Sequence, residues 1–228
     1  ADVLLGKVNP SGKLATTFPM NYLDNPSSHN FPYDYSNTAT ASRNAYGRTP
    51  APRKNVDYTL YEEGIYVGYR YFTTAGVEVS YPFGYGLSYT TFAYSKPAVK
   101  ATADGFTATV TVTNTGKVAG KEAVQVYVTA PAGGLDKPAL ELKAFAKTKE
   151  LAPGESQTLT MTVDNYGIAS FNEATSAWEA PAGTYKVHFA ASVADIRGTV
   201  DYKLKAAKSW KVNNVLAPAE PINEIKIK

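Results

Sequence analysis

The sequence contains no cysteine, which excludes disulfide staples, thiol nucleophiles and cysteine-ligated zinc. Histidine is nearly as scarce. His29 and His188 are the only two, and their wide separation argues against a histidine-built metal site. No apolar run approaches the ~20 residues that a membrane-spanning helix needs. An excess of one charge is also lacking: 23 Lys+Arg against 20 Asp+Glu leave +3, and no basic stripe interleaved with aromatics points to nucleic acid. The opening Ala1-Asp2-Val3 is neither an initiator methionine nor a signal segment. Gly6 is placed to stop a helix that ends there, so a piece of a longer protein is expected.

What is present is a globular balance, with 44% hydrophobic and 19% charged residues over 228 positions. That length holds one large domain, or a small domain plus part of another. Tyrosine dominates the aromatics, 17 against 9 Phe and 2 Trp. A tyrosine buries a broad face and keeps a polar tip, which suits sheet surfaces and sugar-contacting loops alike.

Three zones follow along the chain. Residues 1–26 read as a helix end, a type I turn at Asn9-Pro10-Ser11-Gly12 and an extended run over 13–18. Residues 27–57 are rich in Pro, Asn, Ser and Tyr and have no sustained period, which makes them a long loop of the functional or disordered kind. Residues 58–90 are dense in aromatics and glycine. The spacing of Tyr61, Ile65 and Tyr69 predicts a short helix over 60–71, although Gly64 and Gly68 weaken it by about 1 kcal/mol each. Pro82-Phe83-Gly84-Tyr85-Gly86 is turn or linker.

From residue 91 the pattern becomes alternation. Phe106, Ala108, Val110 and Val112 share one face with threonines on the other, which is a half-buried strand. Further strands are expected over 123–129, 140–150, 156–163, 183–190 and 199–204, with turns at Asn114-Thr115-Gly116 and Pro153-Gly154. Short strands between turn signals indicate an antiparallel sandwich, and the absent disulfide favours the fibronectin type III form. Tyr185, after Pro181-Ala182-Gly183-Thr184, is placed like a tyrosine-corner residue.

Three ordered segments then resemble those of family 3 glycoside hydrolases, the β-glucosidase/β-xylosidase group. GKVNPSGKL at 6–14, followed by Thr17-Phe18-Pro19, is similar to the segment that closes that family's α/β sandwich domain. YEEGIYVGYRYF at 61–72 and YPFGYGLSYTTF at 81–92 are similar to its next motif and to its linker into a fibronectin-like domain. The resemblance covers nearly the whole chain, with 27–57 the least family-like part. It implies a mostly β architecture: residues 1–90 as the terminal part of an α/β sandwich domain with linker 80–90, residues 91–208 as a fibronectin type III-like β-sandwich, and 209–228 as a tail.

The resemblance further implies a retaining, exo-acting β-glycosidase, with β-glucosidase foremost, that hydrolyses terminal β-linked sugars without a cofactor or a metal. In such enzymes an aspartate attacks the anomeric carbon, and a glutamate first protonates the departing oxygen and then activates water. The family's aspartate lies in a (β/α)8 barrel and its glutamate upstream of the segment present here. No Ser-Asp-Trp or Ser-Asp-Tyr occurs in this sequence, so no catalytic residue is assigned to it. The implied partners are the barrel and the α/β core, on the same or a separate chain, and a β-linked glycoside or oligosaccharide. A periplasmic or extracellular location is expected.

Glu62 and Glu63 invite reading as a carboxylate pair, but helical neighbours diverge by about 100°, so bracing Arg70 or a turn amide is the expected role for Glu63. Arg70 is expected to be a paired scaffold group, and His188 a surface or rim residue. His29 and the tyrosines Tyr33, Tyr35 and Tyr46 lie in the loop. The three tyrosines are the candidates for bordering a sugar pocket, stacking on pyranose faces, with interdomain packing as the other role open to them. Trp178 is expected at the sandwich core or rim, and Trp210 begins a tail discouraged from helix by Pro218 and Pro221. The rival reading is a non-catalytic carbohydrate-binding or adhesion module, which would carry an exposed row of aromatics on one sheet face.

Overall fold

A computed structural model describes residues 1–29 and 61–227. Tyr33, Tyr35 and Tyr46 lie outside the described residues. In chain order the strands are β1 (Phe18–Pro19), β2 (Val79–Tyr81), β3 (Phe92–Ala101), β4 (Gly105–Asn114), β5 (Ala123–Thr129), β6 (Glu141–Lys147), β7 (Ser156–Asp164), β8 (Ser170–Asn172), β9 (Ala177–Ala180), β10 (Gly183–Ser192), β11 (Asp195–Leu204) and β12 (Lys208–Lys211). Among the described residues, the α-helix α1 (Tyr69–Ala75) precedes β2.

The sandwich is built from two antiparallel sheets, β3-β4-β7 and β11-β10-β5-β6. The threonine-backed alternation of β4 sends Phe106, Ala108, Val110 and Val112 inward, where they meet Val124, Val126, Val187 and Phe189 of the facing sheet. Each of the buried valines and phenylalanines among them contributes about 1.5–3 kcal/mol. Tyr185 closes the corner as expected, its hydroxyl donating to the Pro181 carbonyl at 2.9 Å.

Alternation understates β5 and β10, whose outward faces are buried as well. A second cluster lies there, with Tyr127, Leu140, Ala190 and Val193 packed under Tyr69, Phe83 and Leu142. The aromatic segments before residue 90 therefore cover the outer face of the four-stranded sheet.

Four expectations change. The helix begins at Tyr69 rather than near residue 60, because Gly64 and Gly68 take φ of +53° and +59°, which no right-handed helix accepts. Asn9-Pro10-Ser11-Gly12 forms no turn; the Asn9 side chain is instead bonded to Tyr89 and Ala119. The run over 13–18 pairs regularly only at its end, through β1 and β2. Trp210 is not loose tail: it sits on β12, opposite Trp178 of β9, with Tyr166 edge-on to it at 5.4 Å. Beyond β12 the chain returns to the front of the molecule, where the Ile225 amide donates to the Glu62 carbonyl at 2.7 Å.

Candidate functional site

The residues that carry the three motifs converge on a seam against the sandwich. Asn9 spans it: its Oδ1 accepts from the Tyr89 amide at 2.8 Å and the Ser88 hydroxyl at 3.0 Å, while its Nδ2 donates to the Ala119 carbonyl at 2.9 Å. Lys13 meets the buried Glu122 at 3.3 Å, and the Tyr94 hydroxyl donates to the same carboxylate at 2.8 Å. Arg197 lies over the Tyr94 ring, 4.8 Å from its centroid, forks onto Asp195 and donates to the Phe92 carbonyl at 2.6 Å.

The electrostatics of this group are those of a satisfied network. Burial, and then the Glu122 charge, push the Tyr94 phenol far above its ordinary value. The hydrogen bonds from Arg197 hold Asp195 below the usual carboxylate range. Two cations and two anions line one cavity of about 590 Å³ here, where the motif segments meet the sandwich. Such an arrangement holds parts together and leaves no lone charge to act on a substrate.

A second seam runs behind it. Gln125, buried, donates to the carbonyls of Gly84 at 3.1 Å and Ala191 at 2.9 Å, and it accepts the Tyr127 hydroxyl at 2.6 Å. Gly84 is needed at that spot: its φ is +80°, and a Cβ there would run into the Gln125 amide. The Tyr69 ring stacks at 4.7 Å on Phe83, and its hydroxyl accepts the Leu142 amide at 2.8 Å. Tyr66, fully buried, donates to Asp136 at 2.6 Å.

Arg70 is paired, as expected of a scaffold group, but with Glu141 of β6 at 3.9 Å rather than with Glu63. Glu63 receives the Tyr66 amide on its carbonyl. His188 is not a surface residue: it is buried between Thr129 (3.0 Å) and Thr199 (2.9 Å), and burial lowers its pKa. His29 ends a 3-10 turn over Pro26–His29. Sequence reasoning gave no site role to Asn9, Lys13, Glu122 or Arg197. Asn9 and Lys13 lay within a family-like motif, and Glu122 carried a signal as a charged residue directly before a mostly apolar strand.

A glycosidic acid/base glutamate needs a raised pKa. The carboxylates with a displaced pKa among the described residues, Glu155, Glu179 and Asp195, are all held low, each chiefly by hydrogen bonds. From residue 92 onward the exposed large aromatics among the described residues are Phe145 and Tyr166, which do not make the row that a carbohydrate-binding sheet would present. Among the described residues, exposed large apolar side chains are more frequent before residue 90, where Leu4 (88%), Leu5, Met20, Leu23, Tyr61 (79%), Val67 and Leu87 are among them, than after it.

Comparison with known proteins adds the remaining constraint. Residues 1–69 match the glycosyl hydrolase family 3 C-terminal domain, and residues 122–193 match the fibronectin type III-like domain. The chain is 41% identical to β-glucosidase A of Butyrivibrio fibrisolvens over 96% of its length and 27% of that protein. It is 39% identical to thermostable β-glucosidase B of Acetivibrio thermocellus, covering 95% of the chain and 27% of the relative. In structure it resembles β-glucosidase 3B from Thermotoga neapolitana in complex with glucose, with a TM-score of 0.79 at 43% identity over 93% of the chain and 27% of that enzyme. The chain thus spans about a quarter of the length of the relatives it matches.

Proposed function

Because the chain belongs to the C-terminal region of glycoside hydrolase family 3, we propose that it is the scaffold end of a retaining, exo-acting β-glycosidase of the β-glucosidase type. In this proposal the nucleophilic aspartate and the acid/base glutamate lie on the rest of the enzyme, the (β/α)8 barrel and α/β core, which joins this piece in one protein or as a separate chain. The substrate is a terminal β-linked glycoside or oligosaccharide, and the loop tyrosines Tyr33, Tyr35 and Tyr46 border its pocket.

One observation carries the proposal. The segments before residue 90 turn polar groups and rings toward the sandwich, through Asn9, Lys13, Tyr69 and Phe83, and leave Leu4, Leu5, Leu23 and Tyr61 exposed. In this reading these exposed apolar side chains belong to a surface that another body covers. The mortar faces the sandwich and the bare apolar side chains remain for the core. The fibronectin-like domain then braces the α/β core at a distance from the chemistry, and its own paired carboxylates play no part in bond breaking.

The test is a graft. This chain replaces the matching segment of Thermotoga neapolitana β-glucosidase 3B, and hydrolysis of 4-nitrophenyl β-D-glucoside is followed. Retained turnover is expected. A folded graft without activity, shown folded by circular dichroism and gel filtration, would contradict the proposal.

A further inference from the structure

Lys137 stands in the connection between β5 and β6 and has no part in the seams. Its Nζ donates to the Ser170 hydroxyl at 2.7 Å. Among the described residues no carboxylate lies within ion-pairing distance of it. The side chain is half-buried and lines a cleft of about 260 Å³ walled by Leu135, Ala180, Pro181 and Ala207, with Glu179 and Lys208 supplying charge. Partial desolvation beside an apolar cleft is one way in which proteins make a lysine amine nucleophilic near neutral pH.

Burial lowers the pKa of this amine, and the neighbouring charge of Lys143 adds to that, against the pull of Glu141 and Glu179. In its deprotonated form the amine donates one N–H to Ser170 and keeps its lone pair. Glu179, held low by Asn172 and Thr175, stays ionised and offers negative charge to a cation formed nearby.

We infer that the cleft beside Lys137 is a carbonyl-capture site for small aldehydes, whose apolar body seats against Leu135, Ala180 and Pro181 while Lys137 Nζ condenses with the carbonyl carbon. The nitrogen lone pair forms the C–N bond and the C=O π pair moves to oxygen, which takes a proton from nitrogen to give a carbinolamine. Protonation and departure of that hydroxyl as water leave an imine. Amine and aldehyde thus give imine and water, with no oxidant or reductant consumed. This site is independent of the glycosidase proposal.

The test incubates the 228-residue chain with butanal at neutral pH, traps imines with borohydride and ranks the labelled lysines by peptide mass spectrometry. Lys137 is expected to label several-fold faster than the exposed Lys203 and Lys205, and Lys137→Arg removes that label. Ala207→Leu, an exposed position, fills the cleft; it should slow butanal labelling of Lys137 and leave formaldehyde labelling unchanged. Labelling no faster than at Lys203 and Lys205, or an Ala207→Leu effect that is absent or equal for the two aldehydes, would overturn the inference.

Discussion

Lys13 and Glu122 stand 109 positions apart in the chain and meet at 3.3 Å, their side chains only 18% and 7% exposed. With the Tyr94 hydroxyl on the same carboxylate, this pair ties the first motif to the sandwich. Removing one partner of a buried pair strands the other, so Glu122→Gln should cost about 2–4 kcal/mol. The double variant Lys13→Met/Glu122→Gln should cost less than the two singles summed, by about 1–3 kcal/mol of coupling. Urea unfolding of the four proteins measures this, and strict additivity would remove the link.

Gly84 presents a steric case. Its φ of +80° and the Gln125 amide packed against its Cα leave no room for a methyl group. Gly84→Ala should destabilise by about 2–4 kcal/mol, from backbone strain together with disruption of the buried Gln125 hydrogen bonds. Denaturant unfolding checks it, and a loss under about 0.5 kcal/mol, the range of ordinary surface changes, would contradict the packing.

His188 yields a pH dependence. Burial first, and then the charge of Lys186, lower its pKa in the folded state. The unfolded chain therefore binds a proton more readily, near pH 6.5. The contribution of His188 to stability is fully present above that value and is lost as pH falls through its folded pKa. An NMR titration of the ring protons should place the His188 midpoint below 6.5, and a midpoint at or above 6.5 would reverse the sign.

The loop tyrosines can be tested in the graft. If Tyr33, Tyr35 and Tyr46 border the sugar pocket, alanine at one or more of them should raise KM several-fold and change kcat less, because a stacking face binds substrate and transition state alike. Three alanine variants with unchanged KM would return these tyrosines to packing.

Much of the sandwich was legible in the residues. The alternation of Phe106, Ala108, Val110 and Val112 predicted β4, and the spacing of Pro181 and Tyr185 predicted the corner bond. What escaped depended on partners distant in sequence. Edge strand β3 was hidden because Pro97 interrupts it, at a bulge where Lys96 takes φ +52°. The pairing of Trp178 with Trp210 and the burial of His188 between threonines of two other strands are set by register across the sheets. Of the seam, the motifs marked the segments involved, but only the fold showed that Asn9 and Lys13 reach Ala119 and Glu122. The shifted helix was misread because Tyr61, Ile65 and Tyr69 keep helical spacing while two glycines beside them turn the backbone left-handed.

The central claim is that this piece holds a β-glycosidase together without the groups that break the bond. The most direct measurement is the initial rate of 4-nitrophenyl β-D-glucoside hydrolysis by the purified chain alone. A rate indistinguishable from buffer, in a sample that gives a cooperative unfolding transition, is the predicted result. Saturable turnover by the chain alone would place the catalytic carboxylates within these residues and contradict the claim.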